Sequence, residues 1–182
     1  MAQSQTFDPH SVDRVKLPFE YDTALMRAEY DAMRLHDYIY YSVLMLKLPH
    51  ERKSEDPPST YPYILSLLES FNAHTQVTLA RLLRLEPGST IKEHCDPMLG
   101  LEIPDSVVRL TIPISGQDGV TFYLNDKPVP MKSGEYWHLK LSDQHHITHE
   151  GTAERVNLTI DVKPNDWVRD LILKSYQSGS LN

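Results

Sequence analysis

In the segment EHCDP, residues 93 to 97, an imidazole and a carboxylate stand one residue apart, at His94 and Asp96. Successive side chains on an extended strand alternate between faces, so His94 and Asp96 share a face and Cys95 points away. A third donor from another strand would complete a set of two histidines and one carboxylate. Such a set occupies one face of an octahedral cation and leaves the opposite positions open. Mixed nitrogen and oxygen donors suit redox-active iron(II), whereas Mg or Ca favours an all-oxygen cage. The pair alone is weak evidence, because 9 His and 14 Asp in 182 residues supply about one His-x-Asp by chance. Solvated loop side chains are the plain competing reading.

More donors lie downstream. His138, His145, His146 and His149 crowd one stretch, and Arg155 follows shortly after. A metal enzyme that chelates an α-keto acid needs a cation to hold the distal carboxylate. Arginine does this best, since its planar fork makes two charge-assisted hydrogen bonds to a carboxylate. A histidine-rich loop beside a surface arginine is the alternative.

These side chains need strands to hold them. From about residue 77 the chain reads as short strands near 77–86, 90–96, 107–114, 119–124, 134–140, 144–149 and 153–162, separated by turn-forming segments such as EPGS and SGQDG. That pattern predicts a β-sandwich or jelly roll and not a parallel sheet. In 107–114, Val108, Leu110, Ile112 and Ile114 alternate with Arg109, Thr111 and Pro113. In 155–162, Val156, Leu158, Ile160 and Val162 alternate with Arg155, Asn157, Thr159 and Asp161. Each strand has an apolar and a polar face. Period two alone leaves open whether the polar face meets solvent or lines a ligand site. Ahead of this core, 22–35 has helical spacing, 38–48 reads as a strand, and 61–73 reads as a short helix with Pro62 in its first turn. A last helix is expected over 165–176, with Asn165 as N-cap.

The length of 182 residues, with 40% hydrophobic and 24% charged, fits one domain. Its expected parts are N-terminal helices and strand (1–75), a jelly-roll core (76–163), and a C-terminal helix and tail (164–182). A net charge of −7 with dispersed Lys and Arg provides no basic footprint for nucleic acid. One cysteine excludes an intramolecular disulfide, and no run of 18 apolar residues is present. The N-terminal stretch also lacks an apolar segment, so a cytoplasmic protein without membrane contact is expected.

The segments RLLRLEPGSTIKEHCD, VVRLTIPI, GVTFYLNDKPVPMKSGEYWHL and HHITHEGTAERVNLTID resemble the aspartyl/asparaginyl β-hydroxylase family, in particular small bacterial proline-hydroxylase-like members. The likeness covers roughly residues 60 to 170. It implies a double-stranded β-helix, a cupin-like jelly roll with flanking α-helices, that uses iron(II), 2-oxoglutarate and dioxygen. The family pattern places the metal ligands at His94, Asp96 and His145, and the 2-oxoglutarate arginine at Arg155. A register slip of one residue would make His146 the ligand instead. Arg109 matches an arginine that points into the pocket. Many members carry histidine two residues after each arginine, where this chain has Thr111 and Asn157, both able to donate to a carboxylate. His149 stands where asparagine is common. Halogenating relatives replace the acid with a small residue, so Asp96 implies hydroxylation, with release of succinate and CO2. The implied substrate is a free amino acid or an amino-acid-like small molecule. The alternatives are an Asp or Asn side chain in a peptide or protein, an iron dioxygenase that does not use 2-oxoglutarate, and a non-catalytic cupin-like module.

Arg84 and Trp137, with Arg109, are the expected substrate contacts. Arg81 competes with Arg84, because residues three apart on a strand take opposite faces. Tyr136 and Trp137 divide between core and pocket. His10, His36, His50 and His74 read as loop or surface histidines, Cys95 as a buried structural thiol, and 49–60 as a surface excursion or a lid.

Overall fold

The computed structural model describes residues 12–33, 36–37, 42–47 and 57–179. Among the described residues, eleven strands and three α-helices run in the order β1 (Arg14–Glu20), α1 (Thr23–Ala32), β2 (His36–Asp37), β3 (Ser42–Lys47), α2 (Pro62–Asn72), β4 (Val77–Leu85), β5 (Thr90–His94), β6 (Val108–Ser115), β7 (Val120–Leu124), β8 (Lys127–Val129), β9 (Glu135–Leu139), β10 (His145–His149), β11 (Arg155–Val162) and α3 (Asp166–Gln177), with a short 3-10 turn at Pro58–Thr60 ahead of α2. The strands form a seven-stranded sheet, β1-β9-β6-β11-β4-β3-β2, and a four-stranded sheet, β5-β10-β7-β8. Neighbouring strands pair antiparallel. The architecture is a double-stranded β-helix with flanking helices. No helix among the described residues is long and apolar enough to cross a membrane.

Period two sorts the central strands. Leu110 and Ile112 of β6, with Leu158 and Ile160 of β11, are fully buried together with Met26, Ile64 and Ile172 of the three helices. Burying each such aliphatic side chain contributes roughly 1.5–3 kcal/mol, which fixes the helices on this face of the large sheet. The opposite face of β11 does not meet solvent: Arg155, Asn157, Thr159 and Asp161 are each 4% exposed. They look across at the small sheet, and so the second of the two readings of that polar face holds. A smaller apolar cluster, built on Leu99, Leu124, Val129, Trp137, Leu139 and Leu141, packs elsewhere in the molecule.

Helix ends follow local chemistry. Asp22 caps α1 by accepting hydrogen bonds from the amides of Ala24 and Leu25, both at 3.0 Å. The helix stops at Ala32, short of the expected 35, because Met33 turns extended. Asn165 caps α3 as expected, its Oδ1 accepting from the Val168 amide at 2.9 Å. Residues 38–41 and 48 of the expected strand and 49–56 of the loop lie outside the described residues.

Three strands, β1, β2 and β8, have no counterpart in the sequence reading. β1 and β8 are edge strands carrying a proline, which removes a ladder donor and is tolerated there. Pro18 in β1 falls where the register with β9 shifts, between Leu17 and Glu20. β8 follows a two-residue hairpin in which Asn125 and Asp126 take φ of 50° and 58°. Their short polar side chains tolerate this left-handed turn, and it hides a strand inside what reads as a loop.

His138 of β9 lies opposite Leu110 and Val15, is buried, and its Nδ1 has no hydrogen-bond partner among the described residues. Burial pushes its pKa down to about 4 from 6.5, with Lys140 acting in the same direction and Glu102 and Asp13 opposing. Below pH 6.5 the unfolded chain takes up a proton that the folded protein refuses, so stability falls as pH drops towards 4. Denaturant midpoints should show the wild type losing about 2 kcal/mol more than His138→Phe between pH 6.5 and 4.5. Parallel curves for the two proteins would mean that His138 is paired or hydrated in the fold.

Candidate metal centre

Strand pairing brings the two imidazoles together. β5 and β10 pair so that His94 lies directly opposite His145, and their ring centroids are 4.2 Å apart. Asp96 follows β5 in a turn pinned by its own amide, which donates to the Leu141 carbonyl at 2.8 Å, and by its carbonyl, which accepts from the Leu99 amide at 2.9 Å. Donor atoms of His94, Asp96 and His145 lie within 4.8 Å of one another.

Both rings are oriented from behind. Nδ1 of His94 meets the Lys92 carbonyl at 2.8 Å, and Nδ1 of His145 meets the Asp143 carbonyl at 2.9 Å. A carbonyl can only accept, so each Nδ1 carries the proton and each Nε2 keeps a lone pair for a cation. Burial, with the His94 ring adding to it, holds the His145 pKa below its ordinary value and favours the neutral ligand form. Arg109 places Nη1 3.4 Å from Asp96 Oδ2. The set matches a cation with mixed nitrogen and oxygen donors and one open face.

His146 has a different fate. It points from the other face of β10, stacks on Tyr123 at 4.4 Å between centroids, and lies 4.0 Å from Glu93. His149 is buried and braces the following turn, bonded to the Ala153 carbonyl at 2.9 Å and accepting from the Gly151 amide at 3.1 Å. Cys95 is exposed, not buried, because β5 ends at His94 and Cys95 falls in the segment that leaves this edge strand.

The three donors sit in the wall of a cavity of about 560 Å³ between the sheets. Arg155, Asn157, Thr159 and Thr111 line its large-sheet side, and Ile91, Phe122 and Ile147 its small-sheet side. Arg155 is buried and its Nε has no hydrogen-bond partner. No carboxylate pairs with it among the described residues, and burial lowers its pKa to about 10. Buried charges are ordinarily paired, so a guanidinium that faces a cavity without a described partner could pair with an anion there.

The remaining arginines sort by register. Arg109 lies opposite Asp161 and binds it with both arms of its fork, at 2.7 and 2.8 Å. It reaches the cavity, but as a brace between Asp161 and Asp96. Arg81 lies opposite Thr159, on the face of Arg155, and its Nε donates to Thr159 Oγ1 at 3.3 Å. Arg84 lies opposite Val156, on the other face; it contributes to the cavity wall, but its guanidinium pairs with Glu86 at 2.6 Å and approaches Glu154 at 3.7 Å. The pairing of β4 with β11 thus gives the cavity-facing parity to Arg81 and not to Arg84. Trp137 is a further correction. It is 2% exposed within the smaller apolar cluster, donates from Nε1 to Glu135 at 3.0 Å, and is not among the cavity-lining residues. Tyr136 packs in the main core.

Sequence reasoning did not anticipate two contributors. Asp161 is legible on the polar face of β11, but nothing local pairs it with Arg109. Gln117, in the turn between β6 and β7, donates to Asn157 Oδ1 at 3.2 Å and left no signal in the pattern.

The sequence profile of the aspartyl/asparaginyl β-hydroxylase family matches residues 18–164. No curated protein sequence matches the chain. Among solved structures, a 2-oxoglutarate and iron(II) oxygenase family oxidoreductase from Burkholderia pseudomallei superimposes with a TM-score of 0.62 at 16% identity, covering 85% of each chain. HygX from Streptomyces hygroscopicus, solved with nickel and 2-oxoglutarate bound, gives a TM-score of 0.60 at 11% identity, covering 91% of this chain and 88% of its own. A prolyl-4-hydroxylase from Pseudomonas putida gives 0.53 at 14% identity, covering 87% and 96%. At these identities the likeness is one of fold. The family profile spans well over half of the sequence, and the chain belongs to the aspartyl/asparaginyl β-hydroxylase family.

Proposed function

We propose that this hydroxylase-family member binds iron(II) through His94, Asp96 and His145, anchors 2-oxoglutarate on Arg155, and hydroxylates a C–H bond of a free amino acid or similar small molecule. The observation that carries this is the buried, uncompensated guanidinium of Arg155 in the cavity that also holds the three donors. A dicarboxylate long enough to reach from a cation to that arginine satisfies both ends. When bound, metal and cosubstrate supply the oxidising chemistry, with 2-oxoglutarate and dioxygen consumed and succinate and CO2 released.

The chain's own residues bind and orient. Arg155 offers a fork to the distal carboxylate, and Asn157 and Thr111 line the same wall as further donors. Arg109 holds Asp96 in place while Asp161 balances its charge. Ile91, Phe122 and Ile147 give the small-sheet wall of the cavity an apolar lining. Arg81, on the Arg155 face beside Thr159, is the guanidinium best placed to meet a substrate carboxylate. The cavity's size lies within the usual small-molecule range of roughly 300–1,000 Å³ and must hold cosubstrate as well, which favours a compact substrate over a folded protein.

Removing the anchor should separate cosubstrate from metal. Arg155→Ala should weaken 2-oxoglutarate binding, read by calorimetry with Mn(II) as the metal, by about 30-fold or more while metal content stays near wild type. Equal loss of metal would assign the arginine a structural role. His145→Ala should lose the metal and His146→Ala keep it, as measured by metal analysis after desalting; the reverse result would move the ligand to His146. Succinate release across a panel of free amino acids and Asp- or Asn-containing peptides tests the substrate. Turnover of peptides alone would transfer the activity to protein side chains, and absence of both metal and 2-oxoglutarate binding would leave a non-catalytic module.

A further inference from the structure

A carboxamide beside an anion site can help or harm, depending on which end it presents. Its NH2 donates to a carboxylate and its carbonyl repels one. Asn157 stands two residues after Arg155 on the buried face of β11 and lines the same cavity. Its Oδ1 is engaged: Gln117 Nε2 donates to it at 3.2 Å. The same Nε2 donates to the Ser115 carbonyl at 2.9 Å. A backbone carbonyl can only accept, so it sets which end of the Gln117 carboxamide is nitrogen, and Gln117 in turn sets which end of Asn157 is oxygen. Nδ2 of Asn157, which donates to no described residue, is left for the cavity.

The turn that carries Gln117 is tightly held. Gly116 has φ of +69°, and a Cβ there would collide with the Glu154 carbonyl. The Val120 amide donates to the Gln117 carbonyl at 3.0 Å. Between Val156 and Asn157 the register with β6 slips by one residue, a bulge of the kind that re-aims side chains beside a site.

We infer that Gln117 is a positioning residue that locks the Asn157 carboxamide with its N–H donors towards the cosubstrate carboxylate held by Arg155. This rests on the 2-oxoglutarate reading of the cavity. A carboxylate at position 117 accepts where glutamine donates, so it draws Asn157 Nδ2 to itself and turns Oδ1 towards the anion. Gln117→Leu only releases Asn157, which can still rotate to donate.

The test is calorimetry of 2-oxoglutarate binding with Mn(II) on the full chain, with Mn(II) binding measured separately as a check on the site. Gln117→Glu should raise the dissociation constant by about ten-fold or more, and Gln117→Leu by less than about three-fold. In turnover the rise should fall on the KM for 2-oxoglutarate and spare kcat. In an Asn157→Leu background, Gln117→Glu should add less than about three-fold, because no carboxamide remains to turn. An undiminished loss in that background, or equal losses for the two Gln117 variants, would overturn the inference and leave the 2-oxoglutarate reading standing. No 2-oxoglutarate binding by the wild type would overturn both.

Discussion

Burying the Arg155 guanidinium between two sheets costs free energy that nothing else among the described residues returns. Hydrophobic cores rarely tolerate such a group, and its persistence requires a scaffold stable enough to carry it. That scaffold is β11 itself, paired along its length with β4 on one side and β6 on the other. Its apolar face anchors the main core, and its polar face builds the cavity. One strand thereby couples the stability of the fold to the chemistry of the site.

The second charged feature of the cavity is solved differently. Asp161 and Arg109 neutralise each other through a two-pronged contact, and Arg109 then reaches Asp96. A charge that is paired within the fold positions; a charge left without an internal partner recruits. The contrast between Arg109 and Arg155 separates the arginine that shapes the donor set from the one that offers itself to a ligand. Asn157, on the same face as Arg155, has its carbonyl oxygen engaged by Gln117.

Much of the fold was legible in the sequence for one reason: side-chain alternation is local. Val156 to Val162 announced their two faces; His94 and Asp96 come together differently from the expected shared strand face, because β5 ends at His94 and a turn carries Asp96. The edge strands β1 and β8 were illegible because Pro18 and Pro128 read as breaks, and because an edge strand depends on a partner far along the chain. The site residues divide in the same way. Asn165 as a cap and the histidines as candidate donors follow from neighbours in the chain. The choice between Arg81 and Arg84 does not, since it depends on which residues of β4 lie opposite Arg155 and Thr159. Trp137 misled for a related reason, because alternation gives its side of the strand but not what fills the space there.

By itself, the sequence determined a β-rich chain with an imidazole and a carboxylate one residue apart, four further histidines downstream, an arginine opening a half-polar strand, and a likeness to one hydroxylase family. Tertiary structure alone decided that His94 stands opposite His145, that the polar face of β11 looks into a cavity and not into water, and that Asp161 pairs with Arg109 while no described residue pairs with Arg155. The physical reason is that alternation along a strand is fixed by backbone geometry within a few residues, whereas cross-strand register and burial are fixed by the joint packing of strands distant in the chain.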